Sequence, residues 1–172
     1  MTHVDEQRIL AIDLHPQSFG FVVFEGSQLI LDWGARSFRG GVNKVRMPLR
    51  PKVGVLLNTF APDVLVLQRP RTERLKRIVR KIKHEAKTKK IAVRLLTPKA
   101  VAKAFLGRND NKDQVASVIA ERFPELLSVL PPRRRPWQSE DYRMSIFDAA
   151  AIGIAYFNRK MLASDPVIPL PC

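Results

Sequence analysis

One carboxylate near the start of the chain stands where it could do chemistry. Asp13 follows the apolar run "ILAI" (residues 9–12), and the stretch "HPQS" (15–18) leads from it into a second apolar run. Burying a carboxylate is costly unless a bound group compensates for it. Asp also initiates turns through its own side chain, so a plain turn residue is the alternative. The apolar runs on both sides favour a functional carboxylate that binds something.

A second carboxylate, Asp148, precedes the stretch "AAAIGIAYF" (149–157), which predicts the last helix of the chain. Ser145 stands three residues earlier, which is the spacing of a capping box with Ser145 as N-cap and Asp148 near N3. A negative charge at that place also interacts favourably with the helix dipole. A helix cap and a functional carboxylate therefore both stay open for Asp148, and the two roles do not exclude each other.

The chain carries a strong positive charge. Its 172 residues include 30 Lys and Arg against 16 Asp and Glu, for a net charge of +14 and a pI of about 10.6. Such a charge is typical of nucleic-acid-binding proteins. Residues 69–90 alone contain eleven Lys or Arg and two Glu. Apolar residues recur within them at helical spacing, which predicts an amphipathic helix with one face in the core.

The charged face of this predicted helix is one-sided, and like charges repel each other unless an anion lies against them. An ordinary solvated face is one alternative, and an acidic membrane surface is another. The apolar face is small and lacks Trp and Phe, which disfavours the membrane. We interpret the face as a phosphate-backbone contact surface. Its predicted contact residues are Arg69, Arg71, Arg74, Arg77, Lys81 and His84.

A second basic segment has a different character. The stretch "PPRRRPW" (131–137) combines three consecutive arginines with a tryptophan. Exposed aromatic side chains interleaved with basic ones are typical of surfaces on which bases stack. We therefore predict that Arg133, Arg134, Arg135 and Trp137 bind nucleic acid, with packing of Trp137 against a protein partner as the alternative.

Several classes of protein are disfavoured. The single cysteine, Cys172, allows neither a disulfide framework nor zinc-ligand spacing. No apolar run reaches the length of a membrane span, and the first residues lack a secretory signal pattern. We expect a soluble protein of a reducing compartment, the cytoplasm.

The order of predicted elements is β-β-β-α-β-α-β-α-α. Strands are predicted at 9–14, 19–25, 29–33, 64–67 and 91–96. Helices are predicted over 53–60, within 69–90, from Thr97-Pro98, from the N-cap Asn111 to about 123, and over 145–162. Residues 124–140 are predicted to form an exposed loop. We expect one domain over 1–163 and an irregular tail over 164–172.

Three stretches give this order a family likeness. They are "ILAIDLHPQSFGFVVFEG" (9–26), "KAVAKAFLGRNDNKDQVASVI" (99–119) and "MSIFDAAAIGIAYF" (144–157). Together they resemble the RuvC-type Holliday-junction resolvases of the ribonuclease H-like superfamily. The resemblance implies an α/β fold with a five-stranded mixed sheet flanked by helices. Three strands would form an antiparallel meander, and two parallel strands would follow.

The resemblance also implies a chemistry. Such nucleases hydrolyse a phosphodiester with two Mg²⁺ or Mn²⁺ ions, which four carboxylates hold. Asp13 and Asp148 match the first and the last of these acids. Gln68 stands where the family has a Glu at the end of the fourth strand, and Ser145 stands at the third acid position. Lys112 matches a lysine at the start of a helix, where the family likeness suggests a phosphate contact.

Two interpretations of the incomplete acid set stay open. Asp141 or Glu140 could complete the metal site, since Asp141 precedes Asp148 by seven residues, or two helical turns. The chain would then be a Mg²⁺-dependent endonuclease for branched DNA, acting as a homodimer in DNA recombination and repair. Alternatively, the site is catalytically inactive and the chain binds DNA or RNA on the same fold. A sugar-kinase or actin-like ATPase is disfavoured, because the glycine-rich phosphate turns are missing.

Overall fold

The computed structural model describes residues 6–37, 49–105 and 111–164. The strands are β1 (Arg8–Leu14), β2 (Ser18–Glu25), β3 (Leu29–Ser37), β4 (Val64–Gln68) and β5 (Ala92–Leu96). The helices are α1 (Leu49–Phe60), α2 (Glu73–Thr88), α3 (Pro98–Lys103), α4 (Lys112–Arg122) and α5 (Met144–Ser164), with a 3₁₀ helix at Pro124–Val129. Every strand and helix predicted from the sequence is present, with bounds that differ by a few residues.

The five strands form one mixed sheet in the order β3-β2-β1-β4-β5. β1 pairs antiparallel with β2, and β2 pairs antiparallel with β3. β4 runs parallel to both of its neighbours, β1 and β5. This arrangement confirms the predicted ribonuclease H-like sheet of an antiparallel meander followed by two parallel strands.

Alternate side chains of β1 enter different halves of the core, because successive residues of a strand point to opposite faces. Leu10 and Ile12 pack in the half that α1 and α2 cover. Ile9 and Ala11 pack in the half that contains the apolar residues of α4 and α5. The next residue in this alternation is Asp13, which the strand therefore directs to the side of α5.

The basic helix has the predicted amphipathic character. Val79, Ile82 and Ala86 of α2 are buried, at positions that recur every three or four residues. The helix begins later than the charge run suggests, since Thr72 is its N-cap and its hydroxyl accepts from the amide of Leu75. Arg69 and Arg71 consequently precede the helix rather than lie on it.

Two predicted helix starts are confirmed in detail. The Thr97 hydroxyl accepts from the amide of Ala100 at 3.1 Å, with Pro98 as the first helical residue. The side chain of Asn111 accepts from the amide of Asp113 at 2.9 Å, so it caps α4 as expected. The local cap signals thus place the N-terminus of α4, which carries Lys112.

Two predicted boundaries are wrong. β3 extends to Ser37, because residues 33–37 continue the ladder with β2. The stretch 124–140 is not a loop throughout, since residues 124–129 form a 3₁₀ helix whose Leu126 is fully buried. The buried side chain holds that turn against Phe123 and the rest of the core, which the Pro- and Arg-rich composition conceals.

Two further predictions concern the C-terminal tail and the absence of a membrane span. The predicted tail begins at 164, and its residues 165–172 lie outside the described part of the chain. Within the described residues, every helix is too short or too polar to cross a membrane.

Candidate active site

Asp13 lies near the end of β1 and is 7% exposed. It pairs with Gly20 in the antiparallel register of β1 and β2. Its Oδ2 lies 2.7 Å from Nε2 of His15, which donates a hydrogen bond to it. The buried carboxylate is thus held at one end of the sheet, in the half of the core that α5 closes.

The start of α5 comes very close to the sheet beside Asp13. A Cβ atom at Gly20 would overlap the backbone carbonyl of Ser145. Because Gly20 has no side chain, the first turn of α5 can lie directly on β2. Asp148 follows Ser145 by one helical turn and so comes to the side of Asp13. This packing role of Gly20 is not evident from the sequence, because it depends on a helix that lies more than 120 residues further along the chain.

Asp13 and Asp148 meet in a three-residue cluster. Ligand atoms of Asp13, His15 and Asp148 all lie within 4.8 Å of one another. The two acids are those predicted from the sequence, whereas His15 was not among the predicted ligands. The i, i+2 spacing of Asp13 and His15 could have indicated it, since such residues share one face of an extended chain.

The electrostatics of the cluster favour a bound cation. Burial, together with the negative charge of Asp13, raises the pKa of Asp148 to about 6. The hydrogen bond with Asp13 raises the pKa of His15. Asp148 is thus hard to ionise in this partly buried place, and the nearby carboxylate of Asp13 adds to that difficulty. The two carboxylates and the imidazole therefore form a donor set that suits a divalent metal ion.

Lys112 connects this cluster with a third acid. Its Nζ lies 3.0 Å from Oδ2 of Asp148 and 3.1 Å from Oε1 of Glu140. The lysine is the first residue of α4, and the Asn111 cap fixes the backbone there. The ammonium of Lys112 therefore bridges Asp148 and Glu140, which is one of the two acids predicted to complete the metal site.

Asp141, the other proposed acid, is engaged elsewhere. Its carboxylate accepts from Nη2 of Arg143 at 2.7 Å and from Nε at 3.0 Å. These hydrogen bonds lower the pKa of Asp141. Its Oδ1 also accepts from the backbone amide of Arg143 at 2.9 Å, at the start of α5. A direct role for Asp141 as a metal ligand therefore remains a prediction.

Gln68 and Ser145, which stand at positions where the resembled family has acids, also lie at this end of the sheet. Gln68 ends β4, and because Ile12 pairs with Leu67 in parallel register, Gln68 and Asp13 are the next residues along their strands. Ser145 lies within the first turn of α5, and its hydroxyl donates to the carbonyl of Tyr142 at 2.7 Å. Ser145 is therefore not the predicted N-cap, which would accept from an amide.

The basic surface adjoins the site. The residues predicted to contact phosphates on α2 and before it are all exposed, namely Arg69, Arg71, Arg74, Arg77, Lys81 and His84. Nη2 of Arg74 donates to the carbonyl of Pro16 at 3.3 Å, in the turn that follows His15. The positive face of α2 is thus in contact with the turn that contains His15, one of the three clustered residues.

A groove of about 1000 Å³ adjoins the site. Lys112 and Glu140 connect its lining with the carboxylate cluster, and Arg134, Trp137 and Tyr142 line it as well. Trp137 is 76% exposed and Tyr142 is 74% exposed. The guanidinium of Arg135 lies 5.8 Å from the centre of the Trp137 ring. Arg133 is exposed in the same segment. Tyr142 was missed from the sequence, although it follows the arginine segment closely.

Comparison with known proteins identifies the fold. No protein-family model and no curated protein sequence matches the chain. Among solved structures, Thermus thermophilus RuvC in complex with a Holliday-junction substrate has a TM-score of 0.64 at 16% identity, over 90% of this chain and 96% of that one. The yeast mitochondrial Holliday-junction resolvase Ydc2 has a TM-score of 0.59 at 16% identity, over 93% and 83%. The fowlpox virus resolvase bound to Holliday-junction DNA has 0.56 at 13% identity, over 90% and 99%.

The fold is that of the RuvC-type resolvases, as the sequence resemblance predicted. The match extends over nearly the whole of this chain and of the compared chains. At 13–17% identity the likeness establishes the architecture, and the activity has to be argued from the residues of the site.

Proposed function

We propose that this protein is a metal-dependent, structure-specific endonuclease of the RuvC kind, which hydrolyses phosphodiesters in branched DNA. The observation that carries the proposal is the meeting of Asp13 and Asp148. These acids come from opposite ends of the chain, and their ligand atoms lie within 4.8 Å of each other and of His15. Asp13 is buried and Asp148 is half-buried, and two carboxylates this close to each other are costly unless a bound cation compensates for their charge.

Asp13 and Asp148 would hold the metal, with Mg²⁺ or Mn²⁺ as the expected ion and His15 beside them. A divalent ion at such a site activates water as the nucleophile and stabilises the leaving oxygen. Lys112 would have two roles at the site, one towards Asp148 and one towards the substrate. Its hydrogen bond to Oδ2 fixes the orientation of Asp148, and its side chain is 54% exposed, which leaves it accessible to a phosphate.

The surfaces beside the site fit a branched substrate. The exposed basic face of α2 would bind the phosphate backbone of one arm, and it begins at the turn beside His15. The groove with Trp137 starts at Lys112, so a strand that passes the carboxylates could enter it. Stacking on Trp137 needs an exposed base, which opening of the base pairs at the centre of a junction would provide and the interior of a linear duplex lacks.

The second candidate is a binding protein for DNA or RNA without cleavage. Gln68 and Ser145 favour it, because neither contributes negative charge at the positions where the family has acids. The homodimer is expected for the nuclease, since two sites that face two strands require two copies of the chain.

Cleavage of a labelled four-way junction, compared with a matched linear duplex, separates the candidates. The reactions contain Mg²⁺, Mn²⁺ or EDTA, and Asp13→Asn is tested beside the wild type. Glu121→Gln removes the same charge from an exposed position on α4 and serves as the matched control. Metal-dependent cutting of the junction that Asp13→Asn abolishes supports the nuclease. Tight binding without cutting supports the binding protein, most clearly if Gln68→Glu then produces cleavage.

A further inference from the structure

The net charge of the site follows from the charged side chains that contact one another there. Three carboxylates take part, namely Asp13, Asp148 and Glu140, and the ammonium of Lys112 binds two of them. With His15 neutral, as a metal ligand must be, this group carries two negative charges. The neighbouring Asp141 and Arg143 neutralise each other and add nothing. One divalent cation therefore balances the group, and a second would leave two positive charges in a half-buried place.

The donor atoms point to the kind of cation. Carboxylate oxygens suit Mg²⁺, Ca²⁺ and Mn²⁺ alike, whereas an added imidazole nitrogen favours transition-metal ions, Mn²⁺ included, over Mg²⁺ and Ca²⁺. Nε2 of His15 lies 2.7 Å from Oδ2 of Asp13, so the imidazole already faces the carboxylates. The remaining oxygen of Asp148, Oδ1, is not the one that Lys112 binds. When the proton of the neutral imidazole is on Nδ1, Nε2 has a free lone pair, so that one nitrogen and one oxygen of each aspartate can bind an ion together.

We infer that the site binds a single divalent transition-metal ion through Asp13, His15 and Asp148, in preference to Mg²⁺. The ammonium of Lys112 supplies the positive charge that a second metal ion would otherwise provide beside Asp148. The inference deepens the proposed nuclease function and rests on the same cluster, but it concerns metal binding and can be tested without DNA.

The test measures the number and the kind of ions bound. Metal-free full-length protein is titrated with Mn²⁺, and free Mn²⁺ is followed by electron paramagnetic resonance. We expect one Mn²⁺ per chain, and we expect Mg²⁺ to displace it only at a concentration about tenfold higher or more, because the imidazole favours the transition metal.

Four variants assign the roles. His15→Ala should weaken Mn²⁺ binding about tenfold or more, as loss of a ligand-shell group does, while Mg²⁺ binding changes little. His84→Ala removes an exposed imidazole of α2 that lies outside the cluster and should leave Mn²⁺ binding unchanged. His15→Asp supplies an oxygen ligand and should shift the preference towards Mg²⁺. Lys112→Gln removes the fixed charge and should allow a second Mn²⁺ to bind.

The titrations can overturn the single-ion inference in three ways. Two Mn²⁺ ions per wild-type chain, no Mn²⁺ binding, or an unchanged preference in His15→Ala would overturn the inference. The cleavage assay separates this failure from failure of the proposed function. Two bound ions with junction cleavage would overturn the single-ion site and keep the nuclease. One bound ion without cleavage would keep the site and overturn the nuclease.

Discussion

The backbone of Ser145 lies against the α-carbon of Gly20, with no room for a side chain between α5 and β2. Gly20 is also the strand partner of Asp13. One close approach of helix and sheet therefore sets how near Asp148, a turn further along α5, comes to Asp13. The separation of the two acids is a property of backbone packing and not only of their own side chains.

Gly20→Ala should damage both stability and the site. The added methyl group has to displace backbone atoms of α5, which costs about 1–3 kcal/mol in a packed core. Asp148 should move away from Asp13, and metal binding should weaken. Chemical denaturation and Mn²⁺ titration measure the two effects.

Gly34→Ala is the matched control for this substitution. A methyl group there would meet the ring of Phe21 and the side chain of Arg36, which can shift more easily than backbone. A smaller loss of stability with unchanged metal binding is expected. Equal effects of Gly20→Ala and Gly34→Ala on metal binding would contradict the positioning role of Gly20.

Burial of Asp148 beside Asp13 should make the metal-free protein less stable as the pH rises. The pKa of Asp148 is about 6 in the folded chain, against a usual value of 3.8. Because the folded state holds the proton more tightly, stability is lost as the pH rises from about 4 through 6. The raised pKa of His15 acts in the same direction from about 6.5 upward.

Asp148→Asn isolates this effect. A rise of about two pH units in the pKa corresponds to at most about 3 kcal/mol, so the variant should be more stable than wild type at pH 8 by up to that amount. At pH 4 the difference should largely disappear. Urea denaturation in EDTA at several pH values gives the comparison. If the free energy of unfolding depended on pH in the same way for both proteins, ionised Asp148 would not destabilise the folded state.

Binding of DNA should depend steeply on salt, because the basic face of α2 would release counterions from the phosphate backbone. Removal of two exposed cations, in Arg77→Ala/Lys81→Ala, should weaken junction binding and lower the slope of log affinity against log salt by about 1 per lost phosphate contact. Lys103→Ala removes an exposed charge from α3 and should change the slope little. A flat response between about 50 and 200 mM salt would contradict this surface.

Trp137 should matter for junctions and not for linear duplexes. Loss of one base-stacking aromatic side chain typically costs about 1–3 kcal/mol, so Trp137→Ala should weaken junction binding about 5- to 150-fold. Leu127→Ala truncates another exposed apolar side chain and is the control. An equal loss for junction and duplex, measured by gel shift, would show that Trp137 does not contact unpaired bases.

The sequence was sufficient for the architecture because each element has a local signal. Thr97 and Asn111 mark helix starts, and the apolar spacing in α2 marks its buried face. Asp13 and Asp148 could be paired only through the family likeness, since 134 residues separate them and spacing along the chain cannot reveal contact.

The remaining features of the site depend on contacts between distant elements. Lys112 has the sequence context of a surface residue, and its pairing with Asp148 and Glu140 follows from the docking of α4 beside α5. His15 lacked a second histidine to suggest a metal site, and its spacing of two residues from Asp13 was the one signal in the sequence for the contact that the fold shows. Leu126 was hidden by the polar composition around it, although it is fully buried.

The central claim is tested most directly by single-turnover cleavage of a four-way junction by wild type, Asp13→Asn, Asp148→Asn and Glu121→Gln, with junction binding measured beside each rate. The account predicts metal-dependent cleavage by wild type and Glu121→Gln, and a loss of at least about 100-fold in both Asp variants with binding retained. Wild-type cleavage that persists in EDTA, or equal rates in all four proteins, would contradict a metal-dependent site built on Asp13 and Asp148.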